Sequence, residues 1–82
     1  SMLIKELANY IDSEITSKKE LEEFKHLFSV SYWKLFGKDK EESHRNNRDL
    51  SLEKIRKALI KQTIPLELIK EDNSYLLKRK DV

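Results

Sequence analysis

Three lysines, Lys54, Lys57 and Lys61, recur at i, i+3 and i+7, the spacing that stacks side chains along one flank of an α-helix. A cationic row of this kind neutralises phosphates, and the helix that carries it fits the major groove of duplex DNA. Arg56 falls within the same stretch, and an arginine in the groove can donate to guanine O6 and N7. The plainer reading is the solvated face of an amphipathic helix in a charge-rich chain.

Other residue types with chemical potential are poorly placed for it. Cysteine is absent, which excludes thiol catalysis, disulfides and cysteine-ligated zinc. His26 has Glu22 and Glu23 nearby, and His44 has Glu41 and Glu42, but neither set supplies a third ligand at defined spacing. Both histidines are therefore expected at the surface, with no metal. The adjacent carboxylates Glu22/Glu23 and Glu41/Glu42 diverge on a helix, and Tyr10-Ile11-Asp12 with Ser13-Glu14 offers no nucleophile, base and orienting group. A single glycine and a single proline exclude a glycine-rich phosphate loop. The expectation is a protein that is not an enzyme and takes no cofactor or small-molecule ligand.

The aromatic residues Phe24, Phe28, Tyr32, Trp33 and Phe36 cluster in one stretch. They form either a stacking platform for single-stranded nucleic acid or the large side chains of a small core. Core packing is the expected role, and an exposed Trp33 or Tyr32 would mark a protein contact.

The elements that must position these residues are set by 82 residues, 39% charged and 38% hydrophobic, which is one domain with a thin core. The net charge of +2 is unevenly spread. Residues 1–37 carry five Lys/Arg against six Asp/Glu, residues 38–63 carry eight against five, and residues 64–82 carry four of each. A patch matters more to a polyanion than a total, and the excess lies mid-chain. No apolar run approaches the ~20 residues that cross a bilayer. A soluble, cytoplasmic protein with no membrane partner is expected.

Leu3, Ile4, Leu7, Ala8, Ile11 and Ile15 predict a first helix over about 3–15. Ser17-Lys18-Lys19-Glu20 fits a capping box that opens a second helix, about 18–36, stopped by Gly37. Ser29-Val30-Ser31 lowers helix propensity inside it, so this is one bent helix or two short ones. After a polar connection, a third helix of about 44–63 starts near Ser43 or as late as Ser51, with Leu52, Ile55 and Leu59 as its buried stripe. Pro65 ends it at or before Ile64. Leu66–Lys70 and Tyr75–Lys78, separated by Glu71-Asp72-Asn73-Ser74, read as a β-hairpin of about 66–79. Leu66, Leu68, Tyr75 and Leu77 would face the helices, and a terminal helix is the competing assignment.

Helices followed by a two-stranded hairpin is the order of a winged helix-turn-helix domain. Arg45-Asn46-Asn47 and Leu50-Ser51-Leu52-Glu53-Lys54-Ile55-Arg56-Lys57-Ala58-Leu59 resemble the recognition helix of OmpR/PhoB-type bacterial transcriptional activators. Trp33-Lys34-Leu35-Phe36-Gly37 with Asp39-Lys40-Glu41-Glu42-Ser43 resembles the segment upstream of it, and Leu68-Ile69-Lys70 with Ser74-Tyr75-Leu76-Leu77 resembles the wing. The resemblance spans roughly residues 30–78 of this chain. The chain departs from the pattern at the wing turn, which is acidic where the family carries a basic residue and glycines, at Arg48, and in lacking the family's N-terminal sheet.

The resemblance implies an α+β fold, a small three-helix winged helix-turn-helix with a C-terminal hairpin. It implies duplex DNA as partner, in transcription regulation, with the helix 44–62 in the major groove. Lys54 and Arg56 match groove- or phosphate-contacting positions, and Ser51 matches one facing the groove. Arg45, Asn47, Lys57 and Lys61 would add supporting contacts. The alternative is a protein–protein interaction module, with a protein partner or a second copy, favoured by the acidic turn and the near-neutral total.

Overall fold

A computed structural model describes residues 2–37 and 48–80. Among them the chain forms α1 (Met2–Glu6), β1 (Glu14–Ile15), α2 (Lys18–Phe36), α3 (Leu52–Lys61), β2 (Leu66–Lys70) and β3 (Tyr75–Arg79). The three strands make an antiparallel sheet in the order β1-β3-β2. The domain is α+β, as expected, but its ribbon has gained a strand.

The first helix is much shorter than the 3–15 expected. Leu3 and Leu7 are buried one turn apart and joined by a Leu7 N–H to Leu3 carbonyl bond. Beyond Leu7 the chain proceeds through three-residue turns, from Tyr10 to Leu7 and from Ser13 to Tyr10. Asp12 sits at φ 64°, a left-handed conformation that aspartate tolerates better than most residues. Its N–H donates to the Leu77 carbonyl at 2.8 Å, and Glu14 and Ile15 pair with Leu76 and Tyr75. Periodicity placed Ile11 and Ile15 on a helix. The central strand β3 instead recruits their backbone, and Ile15 is buried as part of the sheet. β3 thereby gains a neighbour on the side that would otherwise be an open edge.

The second helix is continuous over Lys18–Phe36. The Ser17 side chain accepts the Glu20 N–H at 3.0 Å, as a capping box requires. The Glu20 carboxylate returns to the Ser17 and Thr16 hydroxyls, at 3.0 and 3.4 Å, rather than to backbone. Ser29 does not break the helix, because its hydroxyl donates to the Lys25 carbonyl one turn back at 2.6 Å. Gly37 caps the end in an extended conformation, φ −71° and ψ 116°, so its freedom to take positive φ is not used.

The third helix starts at Leu52, not at 44. Residues 44–47 lie outside the described residues, and residues 48–51 are not helical. Ser51 is the N-cap, accepting the Lys54 N–H at 3.3 Å, so the later of the two start signals prevails. The exit stops short of 63. Ile64 N–H bonds the Leu59 carbonyl and Thr63 N–H bonds the Ile60 carbonyl, the two bonds of a Schellman motif. The left-handed position in that motif usually belongs to glycine but is held here by Thr63 at φ 53°. Pro65 then prevents continuation.

The hairpin forms as read. Leu68 lies opposite Leu77 and Ile69 opposite Leu76, with the turn closed by Glu71 N–H to the Ser74 carbonyl. Leu66, Leu68 and Leu77 are buried against the helices, while Tyr75 is half-buried. The core joins them to Leu3, Leu7, Ile15, Phe24, Phe28, Tyr32, Ile55, Ala58, Leu59 and Ile64. A chain of ring contacts runs through it, from Tyr10 against Phe24 at 5.4 Å to Phe28 stacked on Tyr32 at 5.8 Å and Tyr32 against Phe36 at 5.1 Å. Phe24 and Phe28 are fully buried and Tyr32 nearly so, which leaves these three faces unable to stack on a base.

Candidate nucleic-acid interface

What holds α3 in place determines which of its side chains reach solvent. Ile55, Ala58 and Leu59 are buried and set the inward face. Ser29 of α2 also anchors the entry to the helix: its hydroxyl oxygen accepts the Leu50 N–H at 2.6 Å in a largely buried position. At the exit, Gln62 donates from Nε2 to the Tyr32 hydroxyl at 3.4 Å. Both ends are thus tied to α2, and β2 backs the helix between them. His26 extends the clamp at the surface, its Nδ1 lying 2.9 Å from the Asp49 carboxylate.

Lys54, Lys57 and Lys61 emerge together on one exposed flank of α3. With 3.6 residues per turn they span an arc of only ~60°. Lys54 and Lys61 form no ion pair among the described residues. Lys57 meets Glu53 at 3.3 Å, but both side chains are more than 70% exposed. Such i,i+4 pairs are worth only about 0.3–0.5 kcal/mol, so Lys57 remains able to exchange Glu53 for a stronger anion. The described residues beyond α2 are also richer in cations by composition. Residues 48–80 carry nine Lys/Arg against five Asp/Glu, whereas residues 2–37 carry five against six.

Arg56 does not join the row. Two positions from Lys54, it lies ~200° around the helix. Its Nε donates to the Leu68 carbonyl of β2 at 3.2 Å. This divergence follows from the wheel alone, and the reading that grouped Arg56 with Lys54 missed it. Ser51 is exposed, but its oxygen is committed to capping the helix. Arg45 and Asn47 lie outside the described residues. Of the seven residues singled out from sequence, the structure therefore brings together Lys54, Lys57 and Lys61, and it separates Arg56 from them.

The hairpin tip, Glu71-Asp72-Asn73, is exposed and acidic, while Lys70, Lys78, Arg79 and Lys80 are exposed on or beside its strands. The hairpin thus carries four exposed cations against Glu67 along its strands and is anionic at its tip. The sequence reading missed a second surface, a groove of 210 Å³ lined by Arg56, Leu59, Ile60, Leu66, Leu68 and Lys80 together with Glu67. Its one signal in the sequence is Ile60, an apolar residue outside the buried stripe of α3 and 73% exposed.

Among the described residues, no group of three or more His, Asp or Glu side chains is arranged to hold a metal ion, and no helix is long and apolar enough to cross a membrane. Among the described residues, Tyr10 is the group whose acidity the fold clearly alters: partial burial, then the nearby Glu23 and Glu20, raise its phenol above the ordinary value. No protein family, curated protein or solved structure matches the chain.

Proposed function

We propose that this chain is a non-enzymatic winged-helix module that binds duplex DNA through α3. The observation that carries the reading is the exposed row of Lys54, Lys57 and Lys61, on a helix held at both ends by α2 and backed by a β-hairpin. A rigid helix projecting three ammonium groups along one flank matches a line of phosphates at the mouth of a major groove. The order of helices and then a hairpin supports the winged-helix assignment, and so does the packing of α3 on β2.

The geometry narrows the mode of binding. The arginine of α3 is turned away, so the row consists of lysines alone, which act as point charges rather than as planar forks for guanine. Phosphate contact then dominates over base reading, and the acidic hairpin tip is kept away from the backbone by repulsion. Binding should be strongly salt-dependent and weakly selective for sequence.

A titration against random duplex at several salt concentrations tests this. Each lysine contact contributes ~0.9 to the slope of log affinity against log salt. Loss of about two such increments on Lys54→Glu with Lys57→Glu supports the reading, and absence of binding at low salt overturns it.

A further inference from the structure

The flank of α3 opposite the lysine row leads to the β2 edge of the sheet, which no further strand borders among the described residues. We propose that the groove between α3 and this edge of β2 is a docking site for an extended acidic segment of a partner protein, which adds to β2 as a further strand.

The edge is identifiable from the hydrogen bonds. Lys80 N–H donates to the Pro65 carbonyl and Glu71 N–H to the Ser74 carbonyl, while the Leu77 carbonyl accepts from Asp12 on the side away from β2. The alternation of an antiparallel ladder then makes Leu68–Leu77 a pair that exchanges no bonds, so the Leu68 N–H and carbonyl point outward. Arg56 confirms this by donating to that carbonyl. Among the described residues, β2 borders β3 on one side and no strand on the other. Leu68, and by the same alternation Lys70, offer the backbone groups that an incoming strand pairs with.

The groove selects among occupants by its lining. Leu59, Leu66 and Leu68 make its floor apolar, and Ile60 stands at its side with most of its surface in water. Arg56 and Lys80 outweigh the single carboxylate of Glu67. An extended segment alternating acidic and apolar residues matches both features. A second copy of this chain does not, because it would bring Arg56 and Lys80 against their own equivalents. In the unbound protein Arg56 covers the edge, a common protection against unwanted strand pairing. An acidic side chain offers its guanidinium a bidentate, charge-assisted partner in place of one carbonyl. Arg56 thus acts as a latch that the right peptide releases.

The probe is a short acetylated and amidated peptide of alternating glutamate and valine, titrated into the uniformly nitrogen-15-labelled protein. The expected result is saturable shifts of the Leu68 and Lys70 amides, with slowed hydrogen exchange at both. The same peptide N-methylated at alternate amides should bind about tenfold more weakly, since edge hydrogen bonds are lost. Arg56→Gln should weaken the unmodified peptide by about tenfold while leaving the salt-dependent affinity for duplex DNA unchanged. Equal binding by the N-methylated peptide would overturn the proposal, because side-chain attraction alone would then suffice. Shifts confined to Lys54, Lys57 and Lys61, perturbation of the Leu68 amide by duplex DNA, or self-association through β2 without peptide would do so as well.

Discussion

The two flanks of α3 are drawn from the same ten residues, yet the fold gives them different surroundings. On one flank Lys54, Lys57 and Lys61 project into solvent with a single weak ion pair among the described residues. On the other, Arg56 is bonded to a strand and Ile60 borders an apolar groove. Both flanks are cationic by composition, and what separates them is the neighbour. Free ammonium groups suit a diffuse polyanion whose contacts are electrostatic and interchangeable. A guanidinium held on the backbone of an edge strand suits a ligand with directional hydrogen bonds. Counting charges along a helix therefore says little about its partners until the adjoining element is known.

The strongest way to break this comparison is to remove what both flanks share. Ile55 is fully buried at the centre of the inward face, and Ile55→Ala should cost about 2–5 kcal/mol in chemical denaturation. In so small a domain that loss should weaken duplex and peptide binding together. Charge reversal separates the flanks instead. Lys54→Glu with Lys57→Glu should flatten the salt slope by about 1.8 and leave peptide binding intact, as read by fluorescence titration in both assays. A parallel loss of peptide affinity would show that the flanks act as one surface.

The entry to α3 gives a sharper, smaller test. Ser29→Ala removes the acceptor of the Leu50 N–H, and an unsatisfied donor of this kind costs about 1–3 kcal/mol. Hydrogen exchange should then accelerate at Leu50 and in the first turn of α3 before it does in β2. At the exit, Thr63 holds a left-handed conformation that costs a non-glycine residue about 1–2 kcal/mol. Thr63→Gly relieves it but loosens the unfolded chain, for a net gain of about 0.5–1 kcal/mol in thermal unfolding. Neither flank should change its affinity.

The smallest effect belongs to a residue on neither flank. Tyr10 has its phenol pKa raised by partial burial, with Glu23 and Glu20 adding to the shift. The folded state then holds this proton more tightly than the unfolded one. Its contribution is complete below the ordinary tyrosine range and is lost as pH rises through that range and above. Tyr10→Phe should remove this alkaline component of a stability–pH profile and leave the rest in place.

Much of the fold was legible where one local signal decides. Ser17 and Glu20 announced the start of α2, Pro65 limited α3, and the Asn/Asp-containing turn between two short apolar runs marked the hairpin. The same logic failed between residues 7 and 15. Leu3, Leu7, Ile11 and Ile15 have faultless helical spacing, but spacing records only which side is apolar, not what competes for the backbone. Of the site, the lysine row was readable because a helix side faces solvent wherever its opposite side is buried. The groove was not, because half of it belongs to β2.

The order of residues alone was enough to determine a charge-rich chain with no thiol chemistry, two capped helices, a hairpin, and three lysines on one side of α3. These depend on contacts within a few positions of one another, where chain entropy costs little. Only the tertiary structure decided that Glu14 and Ile15 become a strand and that Arg56 turns to Leu68. Each depends on a partner elsewhere in the chain, as Glu14 on Leu76 does, and a local pattern cannot specify a neighbour supplied by folding.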